Sequence, residues 1–153
     1  MLGMKKALNA YGQTSVEMAV DVASPHRLVT MLFEGAIKAV AMAKVHLEAG
    51  NIAEKGAATS KAIAIVDDGL RLSLDKTQGG DLAENLDALY EYISSQLLQA
   101  NLRNDAAMFD EVQGLLSGLK QSWEAIDPAA QAARVNEAPR QAQADAVLSY
   151  GRA

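Results

Sequence analysis

The sequence predicts an all-α protein, an antiparallel up-down-up-down four-helix bundle with an N-terminal arm and a C-terminal tail. Half of the 153 residues are apolar and only 5% are aromatic, and the helix formers Ala, Leu, Glu and Gln dominate. In four long stretches the apolar residues recur at alternating steps of three and four, which keeps them on one helical face. Short breaks separate these stretches, so successive helices should be antiparallel neighbours. We expect an arm at 1–23, the bundle at 24–126 and the tail at 127–153.

The first helix is predicted from Pro25 to about Ala49. Ser24 supplies a hydroxyl cap and Pro25 suits the first helical position. Gly50 should end the helix. Its inward row is expected to contain Leu28, Leu32, Ala36, Val40, Ala43 and Leu47, flanked by Val29, Phe33 and Ile37. Periodicity leaves open whether this flanking row faces the core or a surface groove.

The second helix is predicted from about Ile52 to Leu74. The many Ala and Gly residues in its first half leave open whether that end is loose or closely packed. Its apolar content comes from Ala58, Ala62, Ile65, Val66, Leu70 and Leu74.

The third helix should begin at Asp81, a potential cap, after a loop over residues 75–80 that contains the breaker Gly79-Gly80. Tyr90 and Tyr92 lie about 200° apart around the helix, so one can serve the core while the other faces a partner. The spacing leaves open which does which. The predicted inward stripe consists of Leu82, Leu86, Leu89, Ile93, Leu97 and Ala100.

The fourth helix should follow a turn at residues 101–105, with Asn104 as its cap. The predicted inward stripe consists of Met108, Val112, Leu115, Leu119, Trp123 and Ile126. We expect Trp123 to be a core residue. The arm shows weak periodicity, and the tail, which contains Pro128 and Pro139, should be mobile or loosely docked.

The residue types argue against catalytic and metal chemistry. Cysteine is absent, which excludes disulfides, thiolate nucleophiles and Cys metal sites. Neither His26 nor His46 follows a Glu by three residues, so the Glu-x-x-His pairs of di-metal bundles are missing. No phosphate loop or nucleophile elbow occurs. We therefore expect no catalytic residue, metal or cofactor.

Charge and hydropathy narrow the partners. The net charge is −5 and the basic residues are scattered, which disfavours nucleic-acid binding. No apolar run is long enough for a membrane span, and the N-terminus lacks a signal-peptide core. A cytoplasmic location is the simplest interpretation.

A series of segments in a fixed order resembles the FliS family of flagellar secretion chaperones. The resemblance runs from about Tyr11 to Ile126, and its specificity comes from the order and spacing of the segments. They are Tyr11, Ser24-Pro25-His26-Arg27-Leu28, Met31-Leu32-Phe33-Glu34-Gly35-Ala36, Lys61-Ala62-Ile63, Gly69-Leu70, Leu74-Asp75, Gly79-Gly80, Leu82-Ala83, Asn85-Leu86, Leu89-Tyr90, Tyr92, Leu97-Leu98-Gln99-Ala100-Asn101, Asn104-Asp105 and Trp123.

The resemblance implies a cytoplasmic export chaperone and not an enzyme. Such a protein binds the C-terminal segment of flagellin, prevents premature polymerisation and assists delivery to the flagellar type III export apparatus. The resemblance also implies contacts with the export gate and an anti-sigma regulator, and an arm that covers the empty groove. It favours a binding groove over the core for the flanking row of the first helix, so Phe33 is expected to face that groove. The partner-binding residues expected from it are Tyr11, Ser24, Pro25, Leu28, Val29, Leu32, Phe33, Leu82, Asn85, Leu86, Leu89, Tyr90 and Tyr92.

Two other classes of function stay open from the residues. One is a structural four-helix adaptor that joins other proteins and has no role in secretion. The other is a bundle enzyme, for which the sequence shows no recognisable site.

Overall fold

The structure is a computed structural model that describes residues 23–129. Within this range all regular structure is helical, which confirms the all-α four-helix bundle. The arm, including Tyr11, and the tail beyond residue 129 lie outside the described residues. The helices are α1 (Pro25–Ala49), α2 (Ile52–Ile65, continued by a π-helical segment, Val66–Leu70), α3 (Lys76–Arg103) and α4 (Ala106–Ala125).

The chain divides into two compact units, residues 1–120 and 121–153. Packing is described below for residues 23–120 of the first unit. In the described part of the second, 121–129, the Asp127 amide donates to the Glu124 carbonyl at 3.1 Å and the Asp127 side chain accepts from Ala129 N at 3.0 Å. The predicted division into arm, bundle and tail stays a prediction.

The predicted bounds of α1 are confirmed by its caps. The Ser24 hydroxyl accepts a hydrogen bond from Arg27 N at 3.1 Å, and Pro25 occupies the first helical position. At the other end Gly50 has φ +75°, a left-handed conformation that glycine adopts without a steric penalty. Its amide donates to the His46 and Leu47 carbonyls. Local chemistry therefore sets both ends of this helix.

The second helix differs from the expected continuous helix to Leu74. From Val66 the backbone widens into a π-helical turn, in which Arg71 N donates to the Val66 carbonyl at 2.9 Å. The wider turn keeps Val66, Gly69 and Leu70 all buried. The prediction of one regular helix to Leu74 is wrong because the backbone departs from the α-helical repeat to bury this cluster.

The third helix begins earlier than expected. Asp75, not Asp81, is its cap, since the Asp75 carboxylate accepts from Thr77 N at 3.1 Å and Gln78 N at 3.0 Å. The predicted loop over residues 75–80 is therefore wrong for residues 76–79, which form the first turn of the helix. The break itself is real, because Gly80 has φ 53° and ψ −131° inside the helix. Asn104 likewise ends α3 with φ 51°, and it is Asp105 whose carboxylate accepts from Met108 N at 3.2 Å to begin α4.

Polar contacts clamp α2 to α3 along their length. Lys55, only 4% exposed, donates from Nζ to the Asn101 carbonyl at 2.9 Å and also to Asn104 Oδ1. The ammonium thus lies at the C-terminal end of α3, where the helix dipole favours a cation. At the other end Arg71 Nε donates to Asp87 Oδ1 at 2.9 Å. Lys55, near the start of α2, contacts Asn101 near the end of α3, whereas Arg71, just after α2, contacts Asp87 in the first half of α3. The two helices are therefore antiparallel.

The buried core draws on all four helices. The predicted inward stripes are correct in part. Phe109 and Leu116 are buried in α4, where Met108, Leu115 and Leu119 are only partly so, and Trp123 is partly exposed instead of a core residue. The fully or nearly buried apolar side chains are Leu32, Phe33, Ala36, Ala39, Val40, Ala43, Ala62, Ile65, Val66, Leu70, Ala83, Tyr90, Ile93, Leu97, Ala100, Phe109, Val112 and Leu116.

Candidate functional site

An exposed row on α3 collects four of the predicted partner-binding residues. Leu82, Asn85, Leu89 and Tyr92 follow each other at steps of three, four and three, so they share one face of the helix. Leu82 is 67% exposed and Tyr92 44% exposed, while Leu89 is half-buried. We call these four residues the α3 outer row. Leu82 therefore presents apolar surface to solvent, although it was predicted to belong to the inward stripe of the third helix.

Tyr92 connects the α3 outer row to α4. Its hydroxyl donates to Glu111 Oε1 at 2.5 Å, and this hydrogen bond to a carboxylate raises the pKa of Tyr92. The neighbouring Asp110 pairs with Lys44 of α1. Asp110 and Glu111 are exposed, and their contacts with Lys44 and Tyr92 join α4 to α1 and α3. The edge of the row is therefore polar and fixed in position.

Three other predicted site residues lie in the core. Leu32 is fully buried, Phe33 is 2% exposed and Tyr90 is 4% exposed. The Phe33 and Tyr90 rings are 6.4 Å apart between centroids, at the distance typical of aromatic pairs. Burial raises the pKa of Tyr90 to about 12. Of the two tyrosines, Tyr90 serves the core and Tyr92 faces outward.

The expectation that Phe33 faces a surface groove is not met in this structure. Phe33 belongs to the flanking row of α1 but is buried together with the inward row, because a small bundle buries a broad apolar face of each helix. Val29 and Ile37, on the same flank, remain partly exposed. Any part that Phe33 plays in partner binding stays a prediction.

The remaining predicted residues lie at the N-terminal end of α1 and early in α3. Ser24 and Pro25 are exposed, whereas Leu28, Val29 and Leu86 are partly exposed. The Ser24 hydroxyl is already engaged as the cap of α1. Ser24 and Pro25 thus have a structural role that fixes where α1 begins, and the three apolar residues add surface that a partner could cover.

A groove that was not predicted from the sequence lies between α1 and α2 and has a volume of about 360 Å³. Small residues lie at facing positions on both helices, which is the signal that could have revealed it. The lining residues are Gly35, Lys38, Ala39, Met42, His46, Glu54, Ala57, Ala58 and Lys61.

Residues 23–129 contain no group of three or more His, Cys, Asp or Glu side chains that could hold a metal ion. Among the helices in that range, none is both long and apolar enough to cross a membrane. What the described surface offers is apolar side chains bordered by polar groups, an arrangement suited to binding another chain.

Comparison with known proteins gives one consistent result. The family model described as flagellar protein FliS matches residues 7–130. The flagellar secretion chaperone FliS of Salmonella typhimurium is 52% identical over 123 residues, covering 80% of this chain and 91% of that relative. The flagellar secretion chaperone FliSB of Pseudomonas aeruginosa is 45% identical over 121 residues, covering 79% of this chain and 95% of the relative. The Escherichia coli FliS chaperone is 45% identical over 118 residues, 77% of this chain and 87% of its own length.

Proposed function

The chain belongs to the FliS family, and we propose that it is a cytoplasmic flagellar secretion chaperone for flagellin. It binds the C-terminal region of flagellin, prevents premature polymerisation and assists delivery to the type III export apparatus. The observation that carries this proposal is the match to relatives named flagellar secretion chaperones over about four-fifths of the chain.

The physical basis is coverage of an apolar segment. A flagellin terminus that builds the filament core is apolar at helical spacing, and it would find other copies if left free. A helical bundle can cover such a segment by helix-in-groove recognition. Because ordering a disordered segment costs free energy, a large contact surface is needed.

The structure supports different roles for the proposed partner-binding residues. The α3 outer row, with Leu28 and Val29 of α1 and Leu86 of α3, supplies exposed or partly exposed side chains for direct contact. Ser24 and Pro25 fix the start of α1. Leu32, Phe33 and Tyr90 hold the helices that present the contact residues. Tyr11 lies on the arm, where we propose that it covers the empty surface until flagellin arrives.

We propose that the protein acts without catalysis, metal or cofactor, because covering an apolar segment requires only surface complementarity. The export gate and an anti-sigma regulator are proposed as further partners on the family resemblance alone.

An assembly experiment tests the proposal. Purified flagellin is induced to polymerise, and light scattering follows filament growth with and without the protein. We expect stoichiometric inhibition. Leu82→Glu should weaken it, because a charge replaces an exposed apolar contact on the α3 outer row. Leu102→Glu is the matched control, since Leu102 is also 67% exposed on α3 but lies off the row. Unchanged assembly with the intact protein would instead favour the adaptor without a secretion role.

A further inference from the structure

The N-terminal half of α3, residues 76–89, has little burial of its own. Within this stretch Ala83 is the one buried side chain. The rest of the helix buries four side chains, which are Tyr90, Ile93, Leu97 and Ala100. The backbone break at Gly80 also separates the first turn from the helix that follows. Because a segment with few buried apolar contacts opens at a low free-energy cost, residues 76–89 need another source of stability to stay against the bundle.

A chain of polar contacts supplies this stability, and Arg71 lies at its centre. Arg71 Nε donates to Asp87 Oδ1 at 2.9 Å and Arg71 Nη2 donates to Asp87 Oδ2 at 3.4 Å, so the guanidinium binds the carboxylate through both oxygens. Arg71 Nη1 also lies 3.6 Å from Asp67 Oδ1, which accepts from Ser94 Oγ at 2.7 Å. Lys76 Nζ, in the first turn of α3, donates to Asp87 Oδ2 at 3.4 Å. The contacts therefore join the end of α2 to both halves of α3.

The π-helical turn sets the direction in which Arg71 points. Successive residues of an α-helix lie about 100° apart around its axis. A π-helical turn contains one residue more than an α-helical turn, so the residues that follow it are rotated by about this angle relative to a regular helix. In this register Arg71 contacts Asp87, whereas the next residue, Leu72, is 65% exposed. A regular continuation of α2 would turn the Arg71 side chain away from Asp87.

We propose that Arg71 is a positioning residue for the α3 outer row, because its ion pair with Asp87 holds residues 76–89 in the closed position that presents the row. This inference rests on the proposed function of that row. Three of its four members lie in this segment, namely Leu82, Asn85 and Leu89. We call the Arg71–Asp87 pair the latch. When the latch is broken, the segment opens and these side chains lose their common face with Tyr92. A partner that binds only the closed form then binds less tightly, in proportion to the closed fraction.

Distances between spin labels test the latch without any partner. The chain has no native cysteine, so labels attach only to introduced ones. Ser60 of α2 and Glu84 of α3 are exposed, and the pair Ser60→Cys, Glu84→Cys reports on the segment. The control pair is Ser60→Cys, Ser95→Cys, since Ser95 is exposed in the other half of α3.

Both labelled pairs should give one narrow distance in the parent. Arg71→Gln should add a second, broader population to the pair at positions 60 and 84, because the segment opens. The control pair should stay narrow. A distribution at positions 60 and 84 that Arg71→Gln leaves unchanged would overturn the latch.

Flagellin affinity tests the positioning role. Purified monomeric flagellin is titrated at a temperature well below the melting temperature of every variant, so that each one is folded. Arg71→Gln should weaken binding about threefold or more, since the closed fraction falls. Val40→Ala is the control, because Val40 is buried in α1 and is not part of the latch. It should lower the melting temperature and leave the affinity within about twofold. Equal losses of affinity for the two variants would overturn the positioning role.

Asp87→Asn breaks the same latch from its other side and serves as a second variant if Arg71→Gln does not fold. It should produce the same second distance population and a similar loss of affinity. The double variant Arg71→Gln, Asp87→Asn should bind flagellin no more weakly than either single variant, because all three lack one and the same interaction. Losses of affinity that add in the double variant would contradict a shared latch.

The two measurements separate this inference from the function on which it rests. Failure of the parent to bind flagellin would refute the proposed function, and the label distances would still decide whether the latch exists. Binding that is intact in the parent and unaffected by both Arg71→Gln and Asp87→Asn would overturn the positioning role and leave the proposed function standing.

Discussion

Replacing Phe33 with alanine tests whether the contact between α1 and α3 belongs to the core. Phe33 is 2% exposed, and its ring lies 6.4 Å from that of Tyr90 with an interplanar angle of 52°. Truncation removes the ring and leaves a cavity that the surrounding helices fill only in part. Buried Phe→Ala changes cost about 3–5 kcal/mol. The lost aromatic contact accounts for about 0.5–1.5 kcal/mol of this.

Urea denaturation followed by circular dichroism measures the loss. Small proteins have denaturant slopes of about 1–3 kcal/mol per molar urea. With a slope of about 2 and a loss of about 4 kcal/mol, the midpoint should fall by roughly 2 M. At about 3 °C per kcal/mol for a chain of this size, the melting temperature should fall by roughly 12 °C.

Leu82→Ala is the matched control on the surface. Leu82 is 67% exposed, so its truncation should change the free energy of unfolding by less than about 0.5 kcal/mol. A loss below about 1 kcal/mol for Phe33→Ala, with an unchanged denaturant slope, would show that Phe33 is not a core residue. The groove-facing position expected from the sequence would then be correct.

Three further predictions concern the backbone, an ion pair and a buried cation. Gly80→Ala should lower stability by about 1–3 kcal/mol, because φ 53° and ψ −131° are accessible essentially only to glycine. In contrast, Gly118 lies in α4 with open space around it, so Gly118→Ala should raise stability by about 0.5–1 kcal/mol. Equal changes in the free energy of unfolding for the two variants, measured by urea denaturation, would contradict the role of the Gly80 backbone. The hydrogen-bonded guanidinium of Arg71 lowers the pKa of Asp87 below its ordinary value. The ionised Asp87 carboxylate therefore stabilises the fold at pH values above its ordinary pKa, and this stabilisation is lost as the pH falls through the lowered pKa. Asp87→Asn should therefore reduce the loss of stability on acidification below about pH 4, and an unchanged acid limb would exclude this role. Lys55→Met removes the charged donor that binds the Asn101 carbonyl and Asn104 Oδ1, and it should cost about 1–3 kcal/mol with faster amide exchange in the turn between α3 and α4. Unchanged protection of that turn would contradict the clamp.

The parts of the fold that depend on neighbouring residues could be predicted from the sequence. Ser24, Pro25 and Gly50 set the ends of α1 by capping and backbone preference, which act over a few residues. The start of α3 could not be predicted in the same way. Asp81 follows the breaker Gly79-Gly80 and is therefore the predicted cap, but a helical turn forms before Gly80 and Asp75 caps that turn.

The residues of the candidate site stay predictions, and the sequence could not show which of them face outward. α3 has apolar residues on more than one face, so Leu82 and Leu89 fit an inward stripe as well as Ala83 and Tyr90 do. The same ambiguity in α4 placed Met108 inward where the structure buries Phe109. Packing against the other helices decides which face of a helix is buried. The residue pattern of one helix alone does not contain that information.

The groove between α1 and α2 escaped prediction for a related reason. Its floor consists of small residues, and Ala-rich stretches are equally compatible with close packing and with a loose helix end. Only the relative placement of Gly35, Ala39, Ala57 and Ala58 shows that an open groove results.

Calorimetric titration of the 153-residue chain with the C-terminal region of flagellin tests whether this protein is a flagellin chaperone. We expect binding at micromolar concentrations or below, with a strongly negative heat-capacity change because apolar surface is buried. Leu82→Glu should weaken this binding while Leu102→Glu leaves it unchanged. Absence of binding at micromolar concentrations by a folded sample would contradict the claim that this protein is a flagellin chaperone.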